Sequence, residues 1–252
     1  MNPDVISPFA TCVNSHDIFR RNLFRSPDVA ALGARIYENQ RSASSAYNDA
    51  LANASPGSGY TIFVHQDVYL PEGWLDRLRS IVASLSGYDR SWAVLGSFGV
   101  THAGEYAGHV YGNGVGVLGR PFGQPVKVRT FDEIVLVVRH MPALRFTGAH
   151  PGFHLYGTDI CLRAEQLNLS CYVADNYCIH NTRLQSFPPG GFYSGYLAIM
   201  RHFPAALPVK TTCATVTGSP WPMRRLILRQ MIAKFRGKAR VVGRLADPTA
   251  AL

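Results

Sequence analysis

One stretch decides the fold: Tyr60-Thr-Ile-Phe-Val-His-Gln-Asp-Val-Tyr-Leu-Pro-Glu-Gly-Trp74. Its first part, Thr61 to Val64, is a short apolar, β-branched run of the kind found in buried strands. The run stops at His65-Gln-Asp67, and Pro71-Glu-Gly73 separates it from the helical pattern that follows. An imidazole and a carboxylate therefore follow a buried strand, where open α/β sheets bind ligands. Asp67 is a candidate oxygen ligand for a divalent metal; an ordinary turn aspartate is the competing interpretation.

The sequence on both sides of this stretch alternates between strand and helix patterns. Such alternation is typical of a mainly parallel sheet with helices on its faces, and it brings the polar turns after the strands to one edge. The predicted strands are residues 8–13, 31–37, 61–64, 91–95, 126–130, 134–138, 171–173 and 177–180. The predicted helices are residues 18–24, 42–54, 74–85 and 158–168, with Ser42 and Thr158 as N-caps.

A glycine-rich segment, residues 96–123, interrupts the alternation. Within it, Gly114-Val-Gly-Val-Leu-Gly119 has the spacing of a dinucleotide-binding loop. That motif should open a helix, but Arg120-Pro121 follows at once. We therefore predict a glycine-rich hairpin or loop beside the site.

Composition limits the classes of protein. A chain of 252 residues with 47% hydrophobic residues suits one large α/β domain or two small ones, and no apolar run is long enough to cross a bilayer. The five cysteines are scattered without a CxxC pair, which argues against a disulfide framework and favours the cytoplasm. The net charge of +9 arises in the C-terminal part, where eleven Lys or Arg follow Asp175 and Asp247 is the one acid. The high pI therefore does not predict a nucleic-acid partner.

The charge distribution divides the chain into a domain at residues 1–185 and a basic C-terminal extension at residues 186–252. Within residues 221–244, Leu228, Met231, Ile232 and Phe235 have helical spacing and are interleaved with arginines. This pattern predicts an amphipathic helix that suits an anionic membrane surface. A C-terminal helix packed on the domain is the alternative. The predicted location is the cytoplasm, with peripheral contact at the inner membrane face left open.

Several phrases together resemble a known family. They are Ala46-Tyr-Asn-Asp-Ala-Leu51, Phe63-Val-His-Gln-Asp-Val68, Asp132-Glu-Ile-Val-Leu-Val-Val138, Gly152-Phe-His-Leu-Tyr-Gly-Thr-Asp-Ile-Cys-Leu162 and Ile179-His-Asn181. Their order and spacing resemble family 2 glycosyltransferases, and more closely the streptomycin-biosynthesis-type glycosyltransferase domain, over roughly residues 8–185. The resemblance implies a GT-A (Rossmann-like) α/β fold with a mixed, mainly parallel sheet and flanking helices.

The resemblance also implies roles for individual residues. Asp67 and His180 would hold a divalent metal, Mn²⁺ or Mg²⁺, on the donor diphosphate, although His65 replaces the first acid of the family's Asp-x-Asp motif. Asp159 would be the general base that takes the acceptor proton, which gives inversion. Asp159 has a second interpretation, as an acidic residue at a helix N-terminus that is stabilised by the helix macrodipole. His180 also has a second interpretation, as a histidine with a purely structural role. Asp132-Glu133 fits a family pattern near the floor of the sugar site.

Two further sets of residues complete the predicted site. Donor contacts are expected from Asn14, Glu38, Asn39, His65, Gln66 and Asp67. Acceptor contacts are expected from Trp74, Phe153, His154 and Tyr156, since aromatic faces pack against the apolar faces of sugars. Partial burial in the core is the competing interpretation of these four residues.

The function predicted from these residues is metal-assisted, inverting transfer of a sugar from a nucleotide-diphosphate sugar to an acceptor hydroxyl. The acceptor would be a glycan in polysaccharide biosynthesis, a lipid-linked molecule or a small metabolite. A non-catalytic GT-A-like domain that binds nucleotide or glycan is the main alternative, because His65 stands at an acid position. A nucleotidyltransferase fits less well, since no glycine-rich loop follows Cys12. A histidine metal site built on His150 and His154 lacks an identifiable third ligand.

Overall fold

A computed structural model describes residues 7–54, 59–185, 190–238 and 241–252 of the protein. Its α-helices are α1 (His16–Arg21), α2 (Pro27–Leu32), α3 (Ala43–Ala52), α4 (Trp74–Tyr88), α5 (Tyr156–Gln166), α6 (Gly190–His202) and α7 (Trp221–Phe235). Its strands are β1 (Phe9–Val13), β2 (Arg35–Glu38), β3 (Tyr60–Val64), β4 (Val68–Tyr69), β5 (Trp92–Gly96), β6 (Phe98–Val100), β7 (Tyr106–Gly112), β8 (Gly116–Gly119), β9 (Val126–Val128), β10 (Thr130–Phe131), β11 (Val135–Arg139), β12 (Ser170–Val173), β13 (Ile179–His180), β14 (Leu184–Gln185), β15 (Val209–Lys210), β16 (Thr215–Val216) and β17 (Val241–Val242).

The central element is a seven-stranded sheet in the order β2-β1-β3-β11-β5-β12-β9. Strands β2, β1, β3, β5 and β12 run in one direction, and β11 and β9 run against them. The sheet is therefore mixed and mainly parallel, as the sequence predicted. Because β11 is antiparallel to β3, the residues just before β11 lie at the same edge as those just after β3.

A second sheet crosses this edge. Its strands are in the order β10-β6-β7-β13-β4, and β8 pairs with β7 as a hairpin. The hairpin predicted within residues 96–123 is thus confirmed as β6, β7 and β8, while its place beside the site stays a prediction. Strand β13 pairs with β4, which fixes His180 directly opposite Val68. This pairing therefore brings His180 next to the residues that follow β3.

Two apolar cores cover the two faces of the central sheet. Along β3, Ile62 and Val64 belong to one core and Phe63 to the other, as the alternation of a strand requires. Helix α4 packs on the first face through Trp74, and helix α3 on the second through Tyr47, which stacks on Phe63 at a centroid distance of 4.1 Å. The predicted helices at these positions are confirmed.

Several predicted boundaries differ from those of the structure, and two of the differences have a clear physical reason. The strand predicted at residues 31–37 begins at Arg35, because Pro27 starts helix α2 and Gly33, at φ +75°, ends it. Helix α5 begins at Tyr156, two residues before the predicted N-cap Thr158. The first turn is capped instead by the carboxylate of Glu133, which accepts a hydrogen bond from the Gly157 N–H.

The C-terminal part contacts the rest of the chain at two places. Helices α6 and α7 share a third apolar core with Leu155 and Leu162, and β17 pairs with β14. The start of the predicted extension, residues 186–189, lies outside the described residues, as do residues 239 and 240. The division into residues 1–185 and 186–252 stays a prediction. In the described parts of the chain, none of the helices combines the length and apolar character needed to traverse a bilayer.

Candidate active site

A cavity of about 780 Å³ opens at the edge of the central sheet where β1 and β3 end and β11 begins. Its walls include Asn14 after β1, His65 and Asp67 after β3, and Glu133 before β11. Ligand cavities in proteins usually span roughly 300–1,000 Å³, so the volume is that of a binding site for a small molecule. The chain places polar groups here because each strand ends in a polar turn rather than continuing its apolar run.

Three side chains on the cavity wall form a metal-type cluster. One ligand atom from each of His65, Asp67 and His180 can be chosen so that all three lie within 4.8 Å of one another. The His180 Nε2 lies 3.3 Å from the Asp67 Oδ1. The His65 Nε2 and the Tyr156 hydroxyl are 2.9 Å apart, and that hydroxyl also donates to the Glu133 carbonyl oxygen. This network leaves the His65 Nδ1 as the acceptor nitrogen of the ring.

Burial and charge set the protonation of these groups. Burial works against ionisation of Asp67, but the neighbouring His180, His65 and Arg244 outweigh it and hold its pKa below the ordinary range. Burial lowers the pKa of His65 to about 4, so the ring is neutral. Burial also opposes a charge on His180, yet the Asp67 carboxylate outweighs it and raises the His180 pKa. The cluster therefore offers one firmly ionised carboxylate and one neutral imidazole.

Arg244 reaches the same carboxylate from the C-terminal segment. Its Nη2 lies 3.3 Å from the Asp67 Oδ2. Two buried asparagines clamp the backbone on either side of it: Asn113 donates to the Gly243 carbonyl, and Asn181 exchanges two hydrogen bonds with Leu245. The guanidinium is thus held beside the cluster and on the cavity wall.

Glu133 and its neighbour Asp132 supply two further carboxylates to the cavity wall. The Glu133 carboxylate is held by the backbone of α5. Its Oε1 accepts a hydrogen bond from the Gly157 N–H at 3.2 Å, at the N-terminus of α5. A Cβ at residue 157 would lie 3.3 Å from the same oxygen, so glycine leaves the space that the carboxylate uses. Burial and the nearby Asp132 raise the pKa of Glu133 well above its usual range, against the opposing backbone hydrogen bonds.

Asp159 lies in the first turn of α5, where the resemblance implied it, but its carboxylate is enclosed in the core. It has no exposed surface and does not line the cavity. Its Oδ2 accepts from the Thr147 N–H at 2.7 Å, and its Oδ1 lies 3.8 Å from the His150 Nδ1. His150 in turn is 2.7 Å from the His154 carbonyl oxygen. Asp159 thus supports the loop before α5 from inside the core.

We expect Asp159→Ala to act on stability and not on chemistry. The change leaves the buried Thr147 N–H without its acceptor, which costs about 1–3 kcal/mol of unfolding free energy. The isosteric Asp159→Asn keeps an acceptor at that position and should retain donor turnover within about three-fold of the wild type, since sites outside the reaction leave kcat unchanged. Urea unfolding and initial rates measure the two effects. A hundred-fold loss of turnover in a stably folded Asp159→Asn would return Asp159 to the base role.

The other predicted residues divide between the cavity and the core. Those on the cavity wall are Asn14, Asn39, His65, Gln66, Asp67, Phe153, His154 and His180. Gln66 braces the end of β1, because its Oε1 accepts from the N–H groups of Asn14 and Ser15.

Three predicted contacts lie away from the cavity wall. Glu38 pairs with His16 at 3.0 Å on the exposed surface. Trp74 is 1% exposed in the first core, and its indole N–H donates to the Asn176 carbonyl. Tyr156 is also buried and touches the site only from beneath, through His65. These positions correct the expected donor contact of Glu38 and the expected acceptor contacts of Trp74 and Tyr156.

Sequence reasoning missed the wall contributed by the C-terminal part. Phe192 on α6, Thr212 and Cys213 before β16, and Arg244 all line the cavity. Thr212 donates to the Asp132 Oδ2 at 3.1 Å, and the Phe192 ring lies 5.9 Å from the His154 ring. Proline and glycine are frequent in residues 181–219, so the sequence pattern of this region did not predict helix α6. The basic charge of the C-terminal part was the one sequence feature that pointed to Arg244.

Comparison with known proteins shows the fold. No family model matches the chain. A curated relative, described as ATP synthase subunits region ORF 6 of Fuscovulum blasticum, is 32% identical over 133 residues, or 49% of this chain and 52% of that protein. The chain therefore spans about half the length of the curated relative it matches.

Two solved structures are similar in three dimensions. GalNAc-T7, solved with UDP, GalNAc and Mn²⁺, is 9% identical and has a TM-score of 0.53 over 77% of this chain and 47% of that chain. TarS residues 1–349 from S. aureus is 13% identical, with a TM-score of 0.47 over 77% of this chain and 64% of that chain. The chain has a GT-A fold. At these identities the likeness shows the fold alone.

Proposed function

We propose that the protein is a glycosyltransferase that moves a sugar from a nucleotide-diphosphate sugar to an acceptor hydroxyl with inversion. One observation carries this proposal: a cavity of donor size holds both the Asp67–His180–His65 cluster and, at the same sheet edge, the separate carboxylate of Glu133. Transfer needs these two parts, a cationic site for the leaving diphosphate and a proton acceptor for the attacking hydroxyl. GalNAc-T7, which has the same fold, binds UDP, GalNAc and Mn²⁺.

The donor would extend along the edge of the sheet. The base and ribose suit the amide groups of Asn14 and Asn39, which follow β1 and β2. The diphosphate would lie against Asp67, His180 and Arg244. The sugar would then reach Asp132 and Glu133, with the acceptor beside the aromatic wall.

The chemistry of the cluster fits a divalent metal. The carboxylate oxygen suits Mg²⁺ and Mn²⁺ alike, whereas the two imidazole nitrogens favour a transition-metal ion over Mg²⁺; Mn²⁺ is the ion in the GalNAc-T7 structure. When bound, such a cation neutralises the charge that develops on the departing diphosphate. Asp67 and His180 would hold it, with the Nδ1 of His65 as a third ligand, and Tyr156 fixes the orientation of the His65 ring.

Glu133 is the proposed general base. Its carboxylate is fixed by the Gly157 N–H, so one oxygen is held while the other can accept a proton. A raised pKa makes it a stronger base than an ordinary glutamate. As the acceptor oxygen bonds to the anomeric carbon and the bond to the diphosphate breaks, the hydroxyl proton passes to Glu133. Attack from the face opposite the leaving group inverts the anomeric configuration.

A non-catalytic nucleotide-binding or glycan-binding domain is the second candidate function. His65 at an acid position and Arg244 on the Asp67 Oδ2 are the observations that favour it. Such a domain would bind nucleotide through the cationic Arg244 without needing a metal.

Calorimetry with a panel of nucleotides tests the proposal. UDP, GDP, CDP and dTDP would each be titrated with and without Mn²⁺ into the wild type. Tight binding of one nucleotide only when Mn²⁺ is present supports the transferase. Equal affinity without metal supports a nucleotide-binding domain. Binding of none of the four contradicts the transferase and leaves the glycan-binding domain as the candidate.

Arg244→Ala should have effects of opposite sign on metal and nucleotide. Removing a cation 3.3 Å from the Asp67 carboxylate should tighten Mn²⁺ binding by about three- to ten-fold, since a nearby positive charge opposes the ion by about 1 kcal/mol in a solvated site. The same change should weaken diphosphate binding by about ten-fold, the worth of a charge-assisted hydrogen bond. Titrations of Mn²⁺ alone and of nucleotide with saturating Mn²⁺ separate the effects. Arg79→Ala, on the far surface of α4, is the control, and the prediction fails if both affinities change in one direction.

A further inference from the structure

Helix α7 presents two different apolar faces. One packs inward, where Met223 is 2% exposed and Leu226 and Ile227 lie against the third core with α6. The other faces outward, away from that core. Because the inner face packs on the third core, α7 is part of the folded domain. The exposure of its outer face is therefore not explained by detachment of the helix from the domain.

The outer face carries five large exposed apolar side chains. They are Trp221 at 65%, Leu228 at 59%, Met231 at 55%, Ile232 at 42% and Phe235 at 94% exposure. Their spacings of seven, three or four residues place them on one side of an α-helix. Isolated exposed apolar residues are ordinary, but a contiguous set of this size marks an interaction surface.

Basic side chains lie beside this face. Arg225, Arg229 and Arg236 are spaced by four and seven residues, form the adjoining stripe of the helix and are all exposed. Arg224 lies on the same side of the helix as the apolar residues; its guanidinium is 5.8 Å from the centre of the Trp221 ring and donates to the Tyr193 hydroxyl of α6. No aspartate or glutamate occurs between Asp175 and Asp247. A surface that binds this face must therefore offer apolar groups to the apolar side chains and negative charge to the arginines around them.

We propose that the outer face of α7 lies flat on an anionic lipid bilayer, with the five apolar side chains among the acyl chains and the arginines at the phosphate level. An apolar stripe flanked by arginines, with an aromatic residue near each end of the helix, is the arrangement of interfacial helices. A protein partner would need a matching acidic groove, whereas an anionic bilayer supplies both features without one. The inference does not depend on the proposed transfer reaction.

Tryptophan fluorescence gives a direct test. The chain has three tryptophans; Trp74 and Trp92 are 1% and 2% exposed, and Trp221 is 65% exposed. Vesicles of phosphatidylcholine with 30% phosphatidylglycerol should therefore shift the emission to shorter wavelength through Trp221. Vesicles of phosphatidylcholine alone should not, and Trp221→Phe should abolish the shift while co-sedimentation persists.

Co-sedimentation variants decide between lipid and other occupants. Leu228→Glu with Phe235→Glu should reduce partitioning onto the anionic vesicles at least ten-fold, and Arg225→Gln with Arg229→Gln should reduce it about ten- to thirty-fold, at roughly five-fold per basic side chain. Val117→Glu, an equally exposed apolar site on β8, is the control. Circular dichroism spectra and thermal unfolding should match the wild type in all variants, which shows that they fold.

Two results would overturn the proposal. One is equal sedimentation of the wild type and of the Leu228→Glu, Phe235→Glu variant with anionic vesicles. The other is a concentration-dependent dimer that the same variant dissociates, with no vesicle binding by the wild type, which would assign the face to a second copy of the chain.

Discussion

Asp67→Asn is expected to abolish metal-dependent nucleotide binding, with a loss of at least about 100-fold in affinity. Even residues that only orient metal ligands contribute about 10–100-fold to metal affinity, and Asp67 is the one carboxylate of the cluster. The substitution keeps the side-chain volume and leaves the Asp67 carbonyl bonded to the Asn181 N–H. Titration of the preferred nucleotide at saturating Mn²⁺ measures the effect.

The matched control is Asp76→Asn, an exposed carboxylate on α4 that pairs with Arg79. It should bind nucleotide as the wild type does. Circular dichroism confirms that both variants are folded. If Asp67→Asn binds nucleotide and Mn²⁺ with unchanged affinity, the cluster is not a metal site.

Glu133→Gln is expected to lower the transfer rate by about 100- to 10,000-fold, the usual contribution of a general base. The glutamine amide oxygen can still accept from the Gly157 N–H, so the local structure of the α5 N-terminus is retained. Donor affinity should remain near the wild-type value, because the proton is transferred only in the transition state. Initial rates and donor titration together separate the two quantities.

The pH dependence of the rate gives a second readout for Glu133. A general base must be ionised, so the wild-type rate should rise with pH as Glu133 loses its proton. Because burial and Asp132 raise the pKa of Glu133, this rise should occur above the pH range of an ordinary glutamate. Glu133→Gln should lose this limb of the profile, and the exposed Glu72→Gln should keep it. A wild-type profile retained in Glu133→Gln would exclude Glu133 as the base.

Much of the fold could be predicted from local pattern. The sequence runs that form β1, β3, β5 and β11 are short, apolar and bounded by polar turns, which is typical of buried strands. The alanine-rich periodicity of α3 is compatible only with an α-helix. The strand β2 was predicted to start too early because Ala31 and Leu32 are apolar and fit a strand as well as a helix end. Pro27, which starts α2, and Gly33, which ends it, determine that these residues are helical. Helix α6 has little periodic signal in its sequence and forms against a core built from distant residues.

Site residues that directly follow a strand could be predicted from the sequence. Whether a given side chain reaches the cavity or is buried depends on tertiary packing and could not be predicted. Asp67 and His180 are brought together by the pairing of β4 with β13, which agrees with the metal pair that the resemblance implied. Asp159 and Trp74 have suitable chemistry, but tertiary packing seals both. Glu133 becomes a cavity carboxylate because β11 runs against β3 and Gly157 leaves room, and neither fact is visible in a single stretch of sequence.

The most direct test of the central claim is turnover of sugar nucleotides. The wild-type protein would be incubated with Mn²⁺ and a panel of UDP-, GDP-, CDP- and dTDP-linked sugars, with release of nucleoside diphosphate and the anomeric configuration of the freed sugar followed by proton NMR. We expect slow hydrolysis of one donor class, with the inverted anomer formed first and the activity lost in Asp67→Asn and Glu133→Gln. Release of the retained anomer, or hydrolysis that Asp67→Asn and Glu133→Gln leave unchanged, would contradict this account.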